Sequence, residues 1–316
     1  MEDEGKADTC LVEFIVEPNY AGWRLDCYLG QKLGRLSRTR IQALIRKQLP
    51  ALKPSSCVKP GMRLQLWRSL PKEPSVPGPE ALVQVFEDED LLVLDKPAGL
   101  PVHPSARYFH NTLVAQLAGR FLRPPSPAHR LDRETSGLLV CTKTPEAGRQ
   151  LMRAFASSLV YKEYLAIGEG HPLCPRFSVE APIAEGSAAI RIAVRICPEG
   201  KPATTHVEVL RTFHRQGRPF CLLNCRPVTG RQHQIRVHLK HAGFPLVGDK
   251  IYGPDEMYFD RFSRGLLEPA AMERLMLARH ALHASVLCFE HPRSRAPMRF
   301  ESALPKELQA FLEAET

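Results

Sequence analysis

No run of ~18 apolar residues occurs in the sequence, so a membrane-spanning helix is not expected. No Cys-x-x-Cys pair occurs either. The nine cysteines are odd in number and scattered over positions 10, 27, 57, 141, 174, 197, 221, 225 and 288. That spread argues against a disulfide framework or a zinc site and for free thiols in a reducing compartment. The first eight residues are acidic and lack an apolar core, which fits neither a signal peptide nor a transit peptide. A cytoplasmic protein is expected. No internal repeat is visible.

What is present is a basic globular chain. Its 316 residues leave room for about two domains. A hydrophobic share of 44% and a charged share of 24% are those of a globular protein. Lysine and arginine number 43 against 34 acids, a net charge of +9. An excess of that size favours a polyanionic partner, nucleic acid or an anionic membrane surface.

Residues 11–16 read as a strand. Leu25 and Leu29, then Ile41 and Ile45, are four apart and predict two short amphipathic helices. Ser37 is placed to cap the second. Arg38 and Arg40 stand in its first turn, where cations oppose the helix dipole, so both are assigned to an outside anion. These residues, with Arg24-Leu25-Asp26 and 58–64, resemble the alpha-L RNA-binding module. The family's glycine and Val-x-Val-Asn-Gly hairpin are replaced here by Gln48-Leu49-Pro50 and Leu52-Lys53-Pro54. Residues 1–70 are therefore taken as a degenerate alpha-L-like RNA-binding module. Four prolines within 71–79 make 71–80 an extended linker. Residues 81–316 form the second domain.

That domain opens with apolar runs at 82–86 and 91–95 around an acidic turn, a hairpin pattern. Lys96 leads into a loop whose prolines at 97, 101 and 104 prevent regular structure. Asn111 or Thr112 caps a helix through Leu113 and Leu117. Thr144-Pro145-Glu146 starts another, with Ala147, Leu151, Phe155 and Leu159 as its apolar stripe. Residues 160–167 read as a strand that puts Tyr164 on one face with Lys162 and Ala166. Several strands follow within 177–223. A single helix is outlined from Thr229-Gly230 to Gly243, burying Ile235, Leu239 and Ala242. His233, His238 and His241 do not reproduce a metal-binding helical pair. The end is a turn-rich segment at 245–253, a strand within 279–291 and a helix near 305–314.

The densest chemistry lies at His129–Gly137, running into the apolar 138–141. Asp132 stands between Arg130 and Arg133 at a tight turn feeding a buried strand. Cations nearby keep such a carboxylate ionised, which suits a nucleophile or general base. Read alone, the stretch is more readily an ordinary surface ion pair, since such pairs are common and also perturb pKa.

Three stretches together, 93–103, 129–139 and 230–238, resemble the RluA family of RNA pseudouridine synthases in motif content and order. The resemblance covers residues ~82–305. It implies an α+β fold: a mixed, mostly antiparallel sheet with flanking helices and the active cleft along the sheet. It implies isomerisation of uridine in structured RNA, ribosomal or transfer, with Asp132 as the essential carboxylate. Tyr164 would pack against a flipped uracil, and Arg236 would pair with Asp132. Arg130 would fill the vacated stack, while Ile235 and Lys96 would lie at the pocket. His129 and Arg231 fall within the same motifs and are assigned to RNA binding. RNA is the expected partner of an expected monomer, with no membrane, metal or small-molecule cofactor required. Two alternatives stand beside this reading. One is a non-catalytic RNA-binding or ribosome-assembly factor on the same fold. The other is a glycoside hydrolase, which needs two carboxylates ~5–9.5 Å apart and for which Glu134 would be the partner.

Overall fold

The computed structural model describes residues 9–33, 36–69, 73–105, 108–186, 192–255, 257–263 and 265–313. The acidic residues 1–8 and the start of the proline-rich stretch lie outside them. The chain divides into two compact units, Met1–Glu73 and Pro74–Thr316.

The first unit holds β1 (Thr9–Ile15), α1 (Leu25–Leu33), α2 (Arg38–Gln48) and β2 (Arg63–Ser69). Ser37 caps α2 by accepting the N–H of Arg40, and β1 pairs antiparallel with β2. Leu25, Tyr28, Leu29, Ile41, Ile45 and Leu66 share one small core.

The second unit runs β3 (Val83–Glu87), β4 (Leu91–Lys96), α3 (Leu113–Arg120), β5 (Ser126–Pro127), β6 (Ser136–Thr142) and α4 (Pro145–Ala156). Then come β7 (Tyr161–Glu169), β8 (Arg176–Glu180), β9 (Ile183–Glu185), β10 (Val194–Ile196), β11 (Thr204–Arg215) and β12 (Arg218–Pro227). It closes with α5 (Gln234–His241), α6 (Tyr258–Ser263), α7 (Pro269–Leu275), β13 (Leu282–Glu290), β14 (Pro297–Glu301) and α8 (Lys306–Glu313). One mixed sheet has the order β3-β4-β6-β13-β7-β12-β11-β8, with β14 on β13 and β5 on β6. Only β6 and β13 pair in parallel among its described neighbours. Among the described residues no helix is long and apolar enough to cross a membrane.

The unbroken apolar runs of β4 and β6 follow from burial on both faces. Leu92, Leu94, Leu139 and Cys141 pack with Leu113 and Leu117 of α3. Leu91, Val93, Leu138 and Val140 pack on the other side with Ala147 and Leu151 of α4. Further along the sheet, Ile235 and Leu239 of α5 cover Ala166, Leu223 and Cys225. Leu308 and Phe311 of α8 cover Phe213 and Phe220.

Three local expectations change. The stripe of α4 ends before Leu159, which is 75% exposed; the helix stops at Ala156 and Ser158 turns with φ +56°. Residues 74–77 are not a free spacer but dock on their own unit. Asn111 Nδ2 donates to the Pro74 carbonyl, Gln116 Nε2 donates to that of Pro77, and Val76 joins the core. Helix α5 starts at Gln234 rather than at Thr229. The Gln234 side-chain oxygen accepts from the Thr229 hydroxyl and the Arg231 N–H. His233 is left-handed at φ +52°, so 229–233 fold as a turn.

Candidate active site

Asp132 sits in the turn that feeds β6. The Thr135 N–H donates to the Asp132 carbonyl, and the Arg133 carbonyl accepts from Gly99 N–H and Lys96 Nζ. The following strand runs so close to β13 that a Cβ on Gly137, at φ +110°, would collide with the Ala284 carbonyl. Glycine alone permits this approach. The turn is thus fixed from both ends.

The Asp132 side chain is 20% exposed and accepts from Arg236 Nη1 at 2.9 Å. The sequence separation is 104 residues. Arg236 is buried, and its other nitrogens meet a second carboxylate: Nε to Asp249 Oδ2 at 2.7 Å and Nη2 to Asp249 Oδ1 at 2.8 Å. Asp249, fully buried, also accepts the N–H groups of Ile251 and Tyr252. The guanidinium lies over the Tyr252 ring, 5.1 Å from its centroid. One arginine is therefore clamped by Asp249 and presents a single N–H edge to Asp132.

His233 Nε2 stands 3.7 Å from Asp132 Oδ2, while Nδ1 meets the Tyr252 hydroxyl at 2.9 Å. Burial alone would raise the Asp132 carboxyl, but the opposing charges of His233, Arg236 and His280 bring it down to about 2. Burial lowers His233 itself to about 4, so at neutral pH that ring is uncharged. Arg236 is then the cation that keeps Asp132 ionised. Tyr164, pushed above its ordinary value by burial and by the Asp132 charge, keeps its proton.

A cleft of about 140 Å³ opens over Asp132, and Tyr164, Leu131, Thr135, Ile235, Arg236 and Leu282 are among the residues lining it. A cavity of ~150 Å³ admits benzene, so one planar pyrimidine fits. Arg130 and Arg231, both exposed, stand at its rim with partly buried Lys162. Thr135 Oγ1 is backed by buried His280 at 2.7 Å.

The structure gathers Asp132, Tyr164, Arg236, Ile235, Arg130 and Arg231 at one cleft; Lys96, His129, Arg38 and Arg40 do not line it. Lys96 is fully buried, with Nζ donating to the carbonyls of Pro97, Leu100 and Arg133. Burial lowers its ammonium to about 7. It buttresses the Asp132 turn and cannot reach RNA. His129 accepts the Val140 N–H through Nε2 and stacks on Phe155 at 4.7 Å, a packing role rather than an RNA contact. Arg38 and Arg40 belong to the first unit; Arg38, Arg24 and Gln42 all donate to the buried Asp26 carboxylate. Glu134 is held by Lys250 and Arg133 and does not line the cleft, which removes the two-carboxylate hydrolase. Arg133 gains a task, donating to the Tyr108 hydroxyl at 2.9 Å. His238, one of the three histidines of the 229–243 stretch, meets Thr205 Oγ1 and the Ala181 carbonyl.

Asp249, Tyr252 and Lys162 were not singled out from the sequence. An aspartate that accepts the N–H groups two and three residues on forms a turn, and the turn-rich sequence at 245–253 marks Asp249 as a turn residue but not as a partner of Arg236.

The buried histidines make stability pH-dependent. Burial lowers His129 to about 3, His233 to about 4 and His280 well below 6.5. Below ~6.5 the unfolded chain then binds more protons than the folded one, so stability falls with falling pH. Asp132 and Asp249, both lowered, extend the loss below ~4. The melting midpoint is expected to decline from pH ~6.5 downward. A midpoint unchanged between pH 7 and 5 in scanning calorimetry contradicts this.

Residues 90–241 match the RNA pseudouridylate synthase family. A Zymomonas mobilis protein named ribosomal large subunit pseudouridine synthase D is 35% identical over 306 residues, covering 91% of this chain and 92% of its own. The Escherichia coli protein of the same name is 32% identical, covering 94% and 92%. The solved structure of human RNA pseudouridylate synthase domain containing 1 superposes with a TM-score of 0.58 at 29% identity. It covers 72% of this chain and 86% of that one. An ionised aspartate on an arginine, lining a base-sized cleft together with a tyrosine, is thus found in a chain that belongs to the RNA pseudouridine synthases, a family of isomerases.

Proposed function

We propose that this protein converts specific uridines of structured ribosomal RNA to pseudouridine, with Asp132 as the one essential carboxylate. The observation that carries the proposal is the Arg236-held Asp132 lining one cleft with Tyr164. The names of the Zymomonas mobilis and Escherichia coli relatives support ribosomal over transfer RNA.

The reaction breaks the bond from ribose C1′ to N1, rotates the uracil and forms a bond from C1′ to C5, with the C5 proton leaving and N1 taking one up. No net hydrolysis or redox change occurs. Asp132 can serve by attack on C1′, by addition to the base or by removal of the 2′ proton. Each route needs an ionised carboxylate close to the nucleotide and partly shielded from water. A paired base is out of reach, so the nucleotide is extruded at a cost of a few kcal/mol. Tyr164 beneath the base and Arg130 in the vacated stack offset part of it, stacking being worth ~1–3 kcal/mol. The first unit, with Arg40 exposed on its surface, adds contacts to the RNA backbone that position rather than specify.

Mapping pseudouridines in ribosomal and transfer RNA of cells with and without this protein tests the assignment. Loss of discrete ribosomal positions supports it; loss confined to transfer RNA moves the substrate; no change sinks it. Tyr164→Phe keeps the ring beneath the base and is expected to bind RNA within about twofold of wild type, while loss of a hydroxyl that assists proton transfer slows turnover ~100-fold, the bottom of the range for such a group. Weakened binding with an unchanged single-turnover rate contradicts that role.

A further inference from the structure

Lys162 precedes Tyr164 by two residues in β7, so both side chains leave the strand on one face, and both line the cleft. Glu163 points to the opposite face, where the Tyr161 hydroxyl donates to it. The Lys162 ammonium is partly buried and stands 6.0 Å from the centroid of the Phe155 ring, the outer limit of a cation–π interaction. Two other buried lysines differ in kind. Lys250 is matched by Glu134, and Lys96 by three carbonyls. Burial lowers the Lys162 ammonium, and no carboxylate among the described residues restores it. A cation held this way is costly until an anion arrives.

The cleft points to which anion. Its ionic lining is Arg130, Lys162, Arg231 and Arg236 against the single carboxylate Asp132, and that carboxylate is already shared with Arg236. Space for one planar base beside surplus positive charge describes a nucleotide in a polyanionic chain rather than a free nucleoside. We propose that Lys162 takes a phosphodiester oxygen next to the extruded uridine, making the cleft select a nucleotide within RNA. The assignment rests on the function proposed above and adds a binding residue to it.

The test uses the full-length protein and an RNA oligonucleotide that the wild type converts. Lys162→Gln is expected to weaken binding about tenfold, as for loss of a hydrogen bond to a charged group. The slope of log K against log salt should fall by ~0.7–0.9, one counterion fewer. Lys162→Arg keeps the slope. An uncharged methylphosphonate at the one phosphate involved should weaken wild type about as much as Lys162→Gln does, and have no further effect on that variant. An unchanged slope in Lys162→Gln overturns the assignment, as does a penalty that adds to the methylphosphonate at every position. A lowered melting midpoint with an unchanged slope would reduce Lys162 to packing on Phe155. A wild type that converts no RNA uridine overturns the proposed function and this inference together; conversion with an unchanged slope overturns only the inference.

Discussion

Asp132→Asn is expected to lower pseudouridine formation about 1,000-fold or more, the scale on which a reacting carboxylate is lost, while leaving the fold intact. The separation of the two effects follows from how Arg236 is held. With Asp132 neutral, Arg236 still keeps its bidentate partner Asp249, and an asparagine oxygen still accepts from Nη1. No buried charge is orphaned, so the melting midpoint should move by only a few degrees. Binding of RNA should persist, because Arg130 and Arg231 at the rim are untouched. Turnover within tenfold of wild type would remove Asp132 from the chemistry. A midpoint lowered by ~10 °C or more would mean that the carboxylate is structural.

Asp249→Asn inverts that pattern. The residue is fully buried and satisfies two of the three Arg236 nitrogens as well as two backbone N–H groups. Breaking a buried ion pair from one side costs ~3–5 kcal/mol, or roughly 10 °C in a domain of this size. An amide N–H₂ facing the guanidinium would also release it from the Tyr252 ring, and the edge offered to Asp132 would no longer be fixed. Turnover should therefore fall ~10- to 100-fold even well below the variant's own melting midpoint, since small misplacements are costly at a reacting centre. Asp249 is a positioning residue, and this residual defect is what separates it from a merely structural one. Full turnover by the folded variant at low temperature would show that only stability depends on Asp249. Stopped-flow single-turnover rates, paired with calorimetry on the same samples, read both quantities.

These two variants also mark where sequence reasoning reached and where it stopped. The hairpin of β3 and β4, the caps at Thr112 and Thr144, and the strand carrying Tyr164 follow from patterns spanning a few residues. Such patterns are local, and the structure keeps them. The pairing of Asp132 with Arg236 was expected from the family resemblance alone, since nothing local links residues 104 apart. Asp249 was read as part of a turn because its partner lies in a helix 13 residues earlier, and burial of a carboxylate leaves no mark in composition. Lys96 and His129 were misplaced for the same reason in reverse. A lysine or histidine in a basic motif reads as an RNA contact, whereas the fold turns both inward onto backbone groups. The end of α4 and the start of α5 moved because Ser158 and His233 adopt left-handed backbone conformations, which non-glycine residues seldom advertise.

The central claim concerns one bond exchange at C5, and that hydrogen can be followed directly. RNA carrying tritium at C5 of uridine should release it to water only as C5 joins the ribose. Wild-type protein is expected to release one tritium per pseudouridine formed, at a rate abolished by Asp132→Asn. Binding of the RNA without tritium release by the wild type, or release undiminished in Asp132→Asn, would contradict the account.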